Sequence, residues 1–244
     1  MDTDSLILAI LIFAAALLYS SVGHGGASGY LAAMALFGLA PEAMKPAALS
    51  LNICVALIAT WRFSRAGYFS WPLFWPFAAS AVPFAFLGGA LTLPTQFYKP
   101  IVGAVLLFAA YHLFRHLSAT GTATRPVSLP IAVASGSSIG LLSGLTGVGG
   151  GIFLSPLLLL MRWADVRHTS AVAAPFILVN SIAGLLGHLT SVKYIPAPIA
   201  WWVPAAVLGG LIGAELGSRR LASPMLRRLL AVVLVIAGVK LIVT

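Results

Sequence analysis

Ser5–Pro41 reads SLILAILIFAAALLYSSVGHGGASGYLAAMALFGLAP, without one Asp, Glu, Lys or Arg. About 18 apolar residues suffice for a helix to cross the roughly 30 Å hydrocarbon core of a bilayer. This stretch is about twice that length and is interrupted in its middle by Gly23-His24-Gly25-Gly26. It therefore reads as two apolar helical segments that fold back on each other at a glycine joint. No charge occurs between Arg65 and Lys99, or between Arg125 and Arg162, either. Of the 244 residues, 60% are hydrophobic and 8% charged, with a mean hydropathy of +1.04. Soluble domains carry about 25% charged residues. A water-facing surface cannot be built from this composition, so the fold class is an all-α integral membrane protein.

Working outward, the apolar spans fall at 6–22, 26–40, 44–61, 71–91, 97–117, 128–145, 150–162, 169–188, 198–217 and 225–243. The second and seventh are short for a full crossing, and each follows a glycine-rich joint. The net charge of +9 sits in short loops between spans, where it sets topology. It does not form the clustered basic face that nucleic acid requires. Arginines at 62, 65, 115, 125, 162, 167, 219, 220, 227 and 228 mark cytoplasmic loops by the positive-inside rule; lysines 45, 99, 193 and 240 then lie outside. The alternation closes if the first jointed pair is a hairpin from outside, the second a hairpin from inside, and both chain ends lie outside. Trp71, Trp75, Trp201 and Trp202 read as interfacial anchors. Cys54, the one cysteine, reads as a small buried hydrophobe.

The two joints match. Gly23-His24-Gly25-Gly26-Ala27 aligns with Gly147-Val148-Gly149-Gly150-Gly151, Asn52 with Asn180, and Pro83 and Gly88-Gly89 with Pro204 and Gly209-Gly210. The organisation expected is two inverted-topology repeats, at 1–117 and 128–244, joined by a polar linker at 118–127. Each repeat holds a Gly-jointed broken-helix hairpin followed by three transmembrane helices.

A break in a helix at membrane depth frees backbone N–H groups, which must face a partner or a cavity. Together with the helix dipole they attract an anion, and glycine lets a ligand reach the main chain closely. The candidate substrate-binding residues are Ser20, Ser21, Gly23, His24, Gly25, Gly26 and Asn52 in the first half. In the second they are Thr146, Gly147, Gly149, Gly150, Gly151 and Asn180. Ser28, Ser143 and Ser155 add hydroxyls beside the joints. His24 is the one titratable group in a joint; it can donate to an anion, carry a coupling proton, or be a hydrogen-bonded structural histidine. The competing reading of the glycines is close helix packing. Glu215 reads as the i,i+4 partner of Arg219. His112, His116 and His188 lack metal-ligand spacing, and no nucleotide or nucleophile motif occurs. No cofactor, no metal and no enzymatic activity are expected.

Gly23-His24-Gly25-Gly26, Gly144-Leu-Thr-Gly-Val-Gly-Gly-Gly151 and Leu208-Gly-Gly-Leu-Ile-Gly-Ala-Glu-Leu-Gly217 with its following Arg-rich turn resemble the motifs of the sulfite exporter TauE/SafE family. The resemblance covers nearly the whole chain but does not extend to His24 or Glu215. It implies a permease for sulfite, organosulfonates or related sulfur anions. The expected function is a secondary transporter in the cell inner (plasma) membrane, with a passive anion channel as the alternative. The partners expected are the lipid bilayer and a small anion, with a homodimer as an open option and no nucleic acid.

The arginine asymmetry places Arg62, Arg125, Arg167 and Arg220 in the cytoplasm. Single cysteines at these positions, in a Cys54→Ser background, should all be labelled by a membrane-impermeant reagent from that side. Labelling of positions 62 and 220 from opposite sides would contradict the topology.

Overall fold

The computed structural model describes residues 3–114, 125–192, 198–219 and 224–243, which form ten α-helices. They are α1 (Thr3–Ser20), α2 (Ala27–Leu36), α3 (Pro41–Arg65), α4 (Trp71–Ala90) and α5 (Thr95–Phe114), then α6 (Leu129–Thr146), α7 (Gly151–Leu160), α8 (Val166–Ser191), α9 (Ile199–Arg219) and α10 (Pro224–Val243). Each expected span is one helix. Linker residues 118–124, and Arg115, His116, Lys193 and Arg220, lie outside the described residues.

Lengths follow from composition. α2 and α7 have ten residues each, so each rises about 15 Å, half of a hydrocarbon core. α3 and α8 have 25 and 26 residues and overrun the expected spans at both ends. Pro41 opens α3 in its first turn, and the Asp165 carboxylate caps α8 by accepting from the His168 amide at 2.8 Å. Five helices among the described residues are long and apolar enough to cross a membrane: α3, α4, α6, α8 and α9. Large side chains such as Ile10, Leu87, Phe97, Leu186 and Ile236 stand exposed on the outside of the bundle, where a soluble protein would place charge and a membrane protein meets lipid.

Glycine stripes set the helix pairs. On α6, Gly136, Gly140 and Gly144 lie against Phe77, Ala81 and Ala85 of α4. On α9, Gly209, Gly213 and Gly217 lie against Phe13, Leu17 and Ser21. Small residues at a spacing of four let two backbones touch, so van der Waals packing replaces the hydrophobic drive that lipid removes. The matching rise in residue number makes both pairs parallel. α3 packs on α8, and α5 on α10. The packing reading of glycine thus holds for these stripes.

Charged residues separate to two ends. Arg62 pairs with Glu215 at 2.7 Å, Arg167 donates to Tyr68 Oη at 2.6 Å, and the Arg125 amide donates to Arg162 O at 2.8 Å. Glu215 thereby bridges α9 to α3; the side chain of Arg219, its expected partner, lies outside the described residues. Lys45 and Lys240 mark the opposite end, where Lys240 Nζ donates to Leu36 O at 2.9 Å. Lys45 is not a loop lysine. It is buried, and its ammonium donates to the carbonyls of Gly88, Gly89 and Leu91, capping the end of α4. Trp71, Trp75 and Trp201 are exposed as interfacial anchors should be, whereas Trp202 is buried in the core and Cys54 is only half-buried.

A methyl group on Gly140 would strike the backbone of Ala81, whereas on Gly184 it would meet its nearest neighbour, Gly144 Cα, at an ordinary 3.4 Å. Alanine gains about 1 kcal/mol over glycine in a helix, and overpacking costs about 1–3 kcal/mol. Thermal unfolding in detergent should therefore show Gly140→Ala melting below the parent and Gly184→Ala at or above it. An equal rise in both would mean that the stripe does not set the helix spacing.

Candidate functional site

The two joints meet at mid-height of the bundle. In joint one the chain leaves α1 through a tight turn in which the His24 amide donates to Tyr19 O at 2.9 Å. It enters α2 at Gly26, whose φ of 100° is costly for any residue with a Cβ. Joint two leaves α6 at Gly147 and enters α7 at Gly150, with φ of 82° at both Gly149 and Gly150. Asn52 of α3 is wholly buried between them. Its Oδ1 accepts from the Ala27 amide at 3.0 Å, and its Nδ2 donates to Val148 O at 3.2 Å and lies 3.4 Å from Ser181 Oγ. A methyl group on Gly25 or on Gly149 would collide with the Asn52 amide from opposite sides. Ile177 of α8 fills the same gap, 3.1 Å from such a group on Gly25 and 3.0 Å from one on Gly149. These two side chains explain the glycines at 25 and 149.

The joints differ at one amide. In joint one, Asn52 occupies the Ala27 amide at the centre of the run Gly25–Gly29, whose other four amides find no acceptor among the described residues. In joint two, the amides of Val148, Gly149, Gly150, Gly151 and Ile152 find no acceptor among the described residues, and all five residues are buried. Buried amides are paired in more than nine cases in ten, so five in succession form a concave, positively polarised nest of the kind that takes an anion. Two buried polar side-chain atoms on α6 and α8 have no hydrogen-bond partner among the described residues. Ser143 Oγ has no hydrogen bond and no exposure, and Ser143 Cβ lies 3.5 Å from where a methyl group on Gly150 would stand. Asn180 Oδ1 is likewise bare, while its Nδ2 donates to Phe176 O at 2.8 Å.

His24 reaches across from joint one. Its Nε2 lies 3.0 Å from Ser155 Oγ on α7, and its Nδ1 lies 3.1 Å from Val22 O. The other hydroxyls expected at the site are engaged elsewhere. Ser20 donates to Gly210 O at 2.8 Å, Ser21 to Leu18 O at 2.7 Å, Thr146 to Leu142 O at 2.7 Å and Ser28 to Tyr19 Oη at 2.6 Å. Gly23 packs against the Ser170 backbone on α8. The structure thus gathers His24, Gly25, Gly26, Asn52, Gly149, Gly150 and Gly151 at one place. Gly147 sits toward Lys45, its missing methyl group 3.1 Å from Lys45 O. Asn180 does not mirror Asn52, since it touches neither joint through a hydrogen bond. Sequence reasoning missed Ile177, Ser181 and Tyr30, whose hydroxyl donates to Gly25 O at 2.7 Å. Ser181 follows Asn180 directly in an apolar helix, which is a signal that was available. No group of three or more metal-ligating side chains occurs among the described residues.

The sulfite exporter TauE/SafE family matches residues 8–241. The chain belongs to that family. Among curated relatives, it is 42% identical to the probable membrane transporter protein y4hK of Sinorhizobium fredii over 248 aligned positions, covering 99% of this chain and all of the relative. It is 26% identical to the probable membrane transporter protein MJ0441 of Methanocaldococcus jannaschii over 214, covering 80% and 79%. No solved structure matches the chain. Membership in the TauE/SafE family makes this a multi-pass membrane transporter.

Removing the Asn52 side chain leaves Ala27 N and Val148 O unpaired, at about 1–3 kcal/mol for each group. Removing the Asn180 side chain gives up one local bond and also removes a bare acceptor. Asn52→Ala should therefore unfold well below the parent in denaturant or heat, and Asn180→Ala close to it. Equal losses would show that the cavity left by an asparagine, and not the bridge between joints, sets the cost.

Proposed function

We propose that this transporter carries small sulfur-containing oxyanions, sulfite and organosulfonates, by alternating access between two inverted halves, α1–α5 and α6–α10. The carrying observation is the buried run of five amides without acceptors at joint two. An oxyanion with three tetrahedrally arranged oxygens can take several amide donors at once, and the dipole of α7 adds to them. The half-helix site is the arrangement that carriers place near the bilayer midplane. The family name supplies the substrate class. The inverted halves draw support from the helix pairing: α1 rests on α9 as α6 rests on α4, and α3 meets α8 as α5 meets α10. Exchanging the halves maps each pair onto another or onto itself.

The site in this proposal is one-sided. Asn52 already occupies the central amide of joint one and interrupts its donor run, so joint one serves as the inner wall and joint two, whose run is unbroken, as the seat. The anion-contacting groups are the main chain from Val148 to Ile152 and the Ser143 hydroxyl. His24 is the proton-binding group beside them.

A hydroxyl that bonds nothing in the free protein costs stability and contributes only when a ligand arrives. Ser143→Ala should lower affinity for sulfite about tenfold, equivalent to ~1.4 kcal/mol, and leave the melting temperature unchanged or raised. Binding by purified protein in nanodiscs, with uptake into proteoliposomes alongside, checks both. Full affinity in Ser143→Ala would move the anion away from joint two. Unitary currents in planar bilayers would replace the carrier with a channel.

A further inference from the structure

Two hydrogen bonds define the state of His24. Val22 O is a carbonyl and only accepts, so the hydrogen on that side belongs to Nδ1, at 3.1 Å. Ser170 Oγ donates to the same carbonyl at 3.0 Å and holds it in place from α8. In the neutral ring, Nε2 is then a lone pair, and Ser155 Oγ–H donates to it at 3.0 Å. Ser155 is buried and stands one helical turn beyond Gly151. His24 Cδ2 lies 3.5 Å from where a methyl group on Gly151 would stand. The imidazole therefore rests against the first turn of the helix whose amides form the nest.

We propose that His24 takes up one proton with each anion, and that Ser155 couples the two events by reversing its hydrogen bond. This rests on the anion reading of joint two. A proton from water adds to Nε2 and forms an N–H bond. That N–H now donates to Ser155 Oγ, so the Ser155 hydroxyl hydrogen no longer points at the ring. It turns to an oxygen of the bound anion or, with the seat empty, to the Gly151 carbonyl one turn back in its own helix. Loss of the proton reverses each movement. Protonation thus adds a positive charge and a free hydroxyl donor beside the seat together. By linkage, the anion strengthens proton binding by the same factor. One proton with one monovalent anion crosses without net charge.

Among the described residues, the titratable groups of the neighbouring elements have partners of their own. Tyr19 of α1 has its ring 6.4 Å from the imidazole and its hydroxyl accepts from Ser28. At the start of α8, Arg167 is bound to Tyr68, and His168 to Asp165. α3 presents Asn52, which is uncharged, and α9 carries Glu215, which Arg62 holds.

The test is calorimetric titration of the purified protein with methanesulfonate, which keeps one negative charge across the range used. Measurements in buffers of different ionisation heat count the protons taken up. Wild type should take up about one proton per anion at pH 8, and its affinity should rise about tenfold toward pH 5. His24→Gln should bind with no proton uptake and no pH dependence. Ser155→Ala should bind and take up a proton, with the gain in affinity between pH 8 and pH 5 reduced severalfold. Binding by wild type without proton uptake, or full uptake in His24→Gln, would overturn the coupling. A wild-type gain retained in Ser155→Ala would overturn the relay. Absence of methanesulfonate and sulfite binding by the wild type would overturn the anion reading itself, a separate failure.

Discussion

A helix broken in the middle of a membrane cannot leave its amides to water, and the rest of this structure is arranged around that constraint. Both breaks fall where the chain turns back, and both expose the start of a ten-residue helix. Asn52 meets part of the demand at one of them, at the Ala27 amide. Among the described residues it is the single side chain that touches both joints through hydrogen bonds, accepting from the Ala27 amide and donating to the Val148 carbonyl. The glycines at 25 and 149 leave room for it on either side. The long helices α3 and α8 then hold this bridge rigidly, because the asparagine and its neighbours Ile177 and Ser181 project from their middles.

The same bridge makes the halves unequal. An asparagine seated on the Ala27 amide interrupts the donor run at one helix start and leaves the run at the other unbroken. Val148 gives its carbonyl to Asn52 but its amide to nothing among the described residues, and the four amides after it follow suit. Ser143 adds a bare hydroxyl beside Gly150. A folded chain tolerates such a cost where a ligand relieves it. His24 completes the asymmetry, since Val148 stands at the matching place in the other joint and cannot bind a proton.

Much of this was legible in the sequence. Uncharged runs gave ten segments and the positions of both joints, since a glycine cluster within an apolar run has few other readings. Charge type gave the two ends of the bundle, with arginines at one and Lys45 and Lys240 at the other. What the sequence hid depends on tertiary proximity. Asn52 and Asn180 match in pattern, yet only one sits between the joints, because α3 and α8 cross at that height by their packing and not by their composition. Ser20, Ser21 and Thr146 lie beside the joints in sequence, but a hydroxyl near a helix end can turn back to a carbonyl of its own turn or a neighbour. Lys45 read as a loop charge because its three acceptors come from another helix end, some forty residues on. Glu215 pairs with Arg62, on a different helix, a contact that helix spacing alone does not give. Trp202 shares its dipeptide with an exposed Trp201 and differs only in the face of α9 it occupies.

The central claim is that the main chain at joint two holds the anion. Selenite has the shape and charge of sulfite and carries an atom that can be located by anomalous scattering. Crystals of the wild-type protein grown with selenite should give one anomalous peak within hydrogen-bonding reach of the amides between Val148 and Ile152, on the side of Ser143. A peak against the buried ammonium of Lys45, or at the start of α2 with Asn52 displaced from the Ala27 amide, would contradict the account.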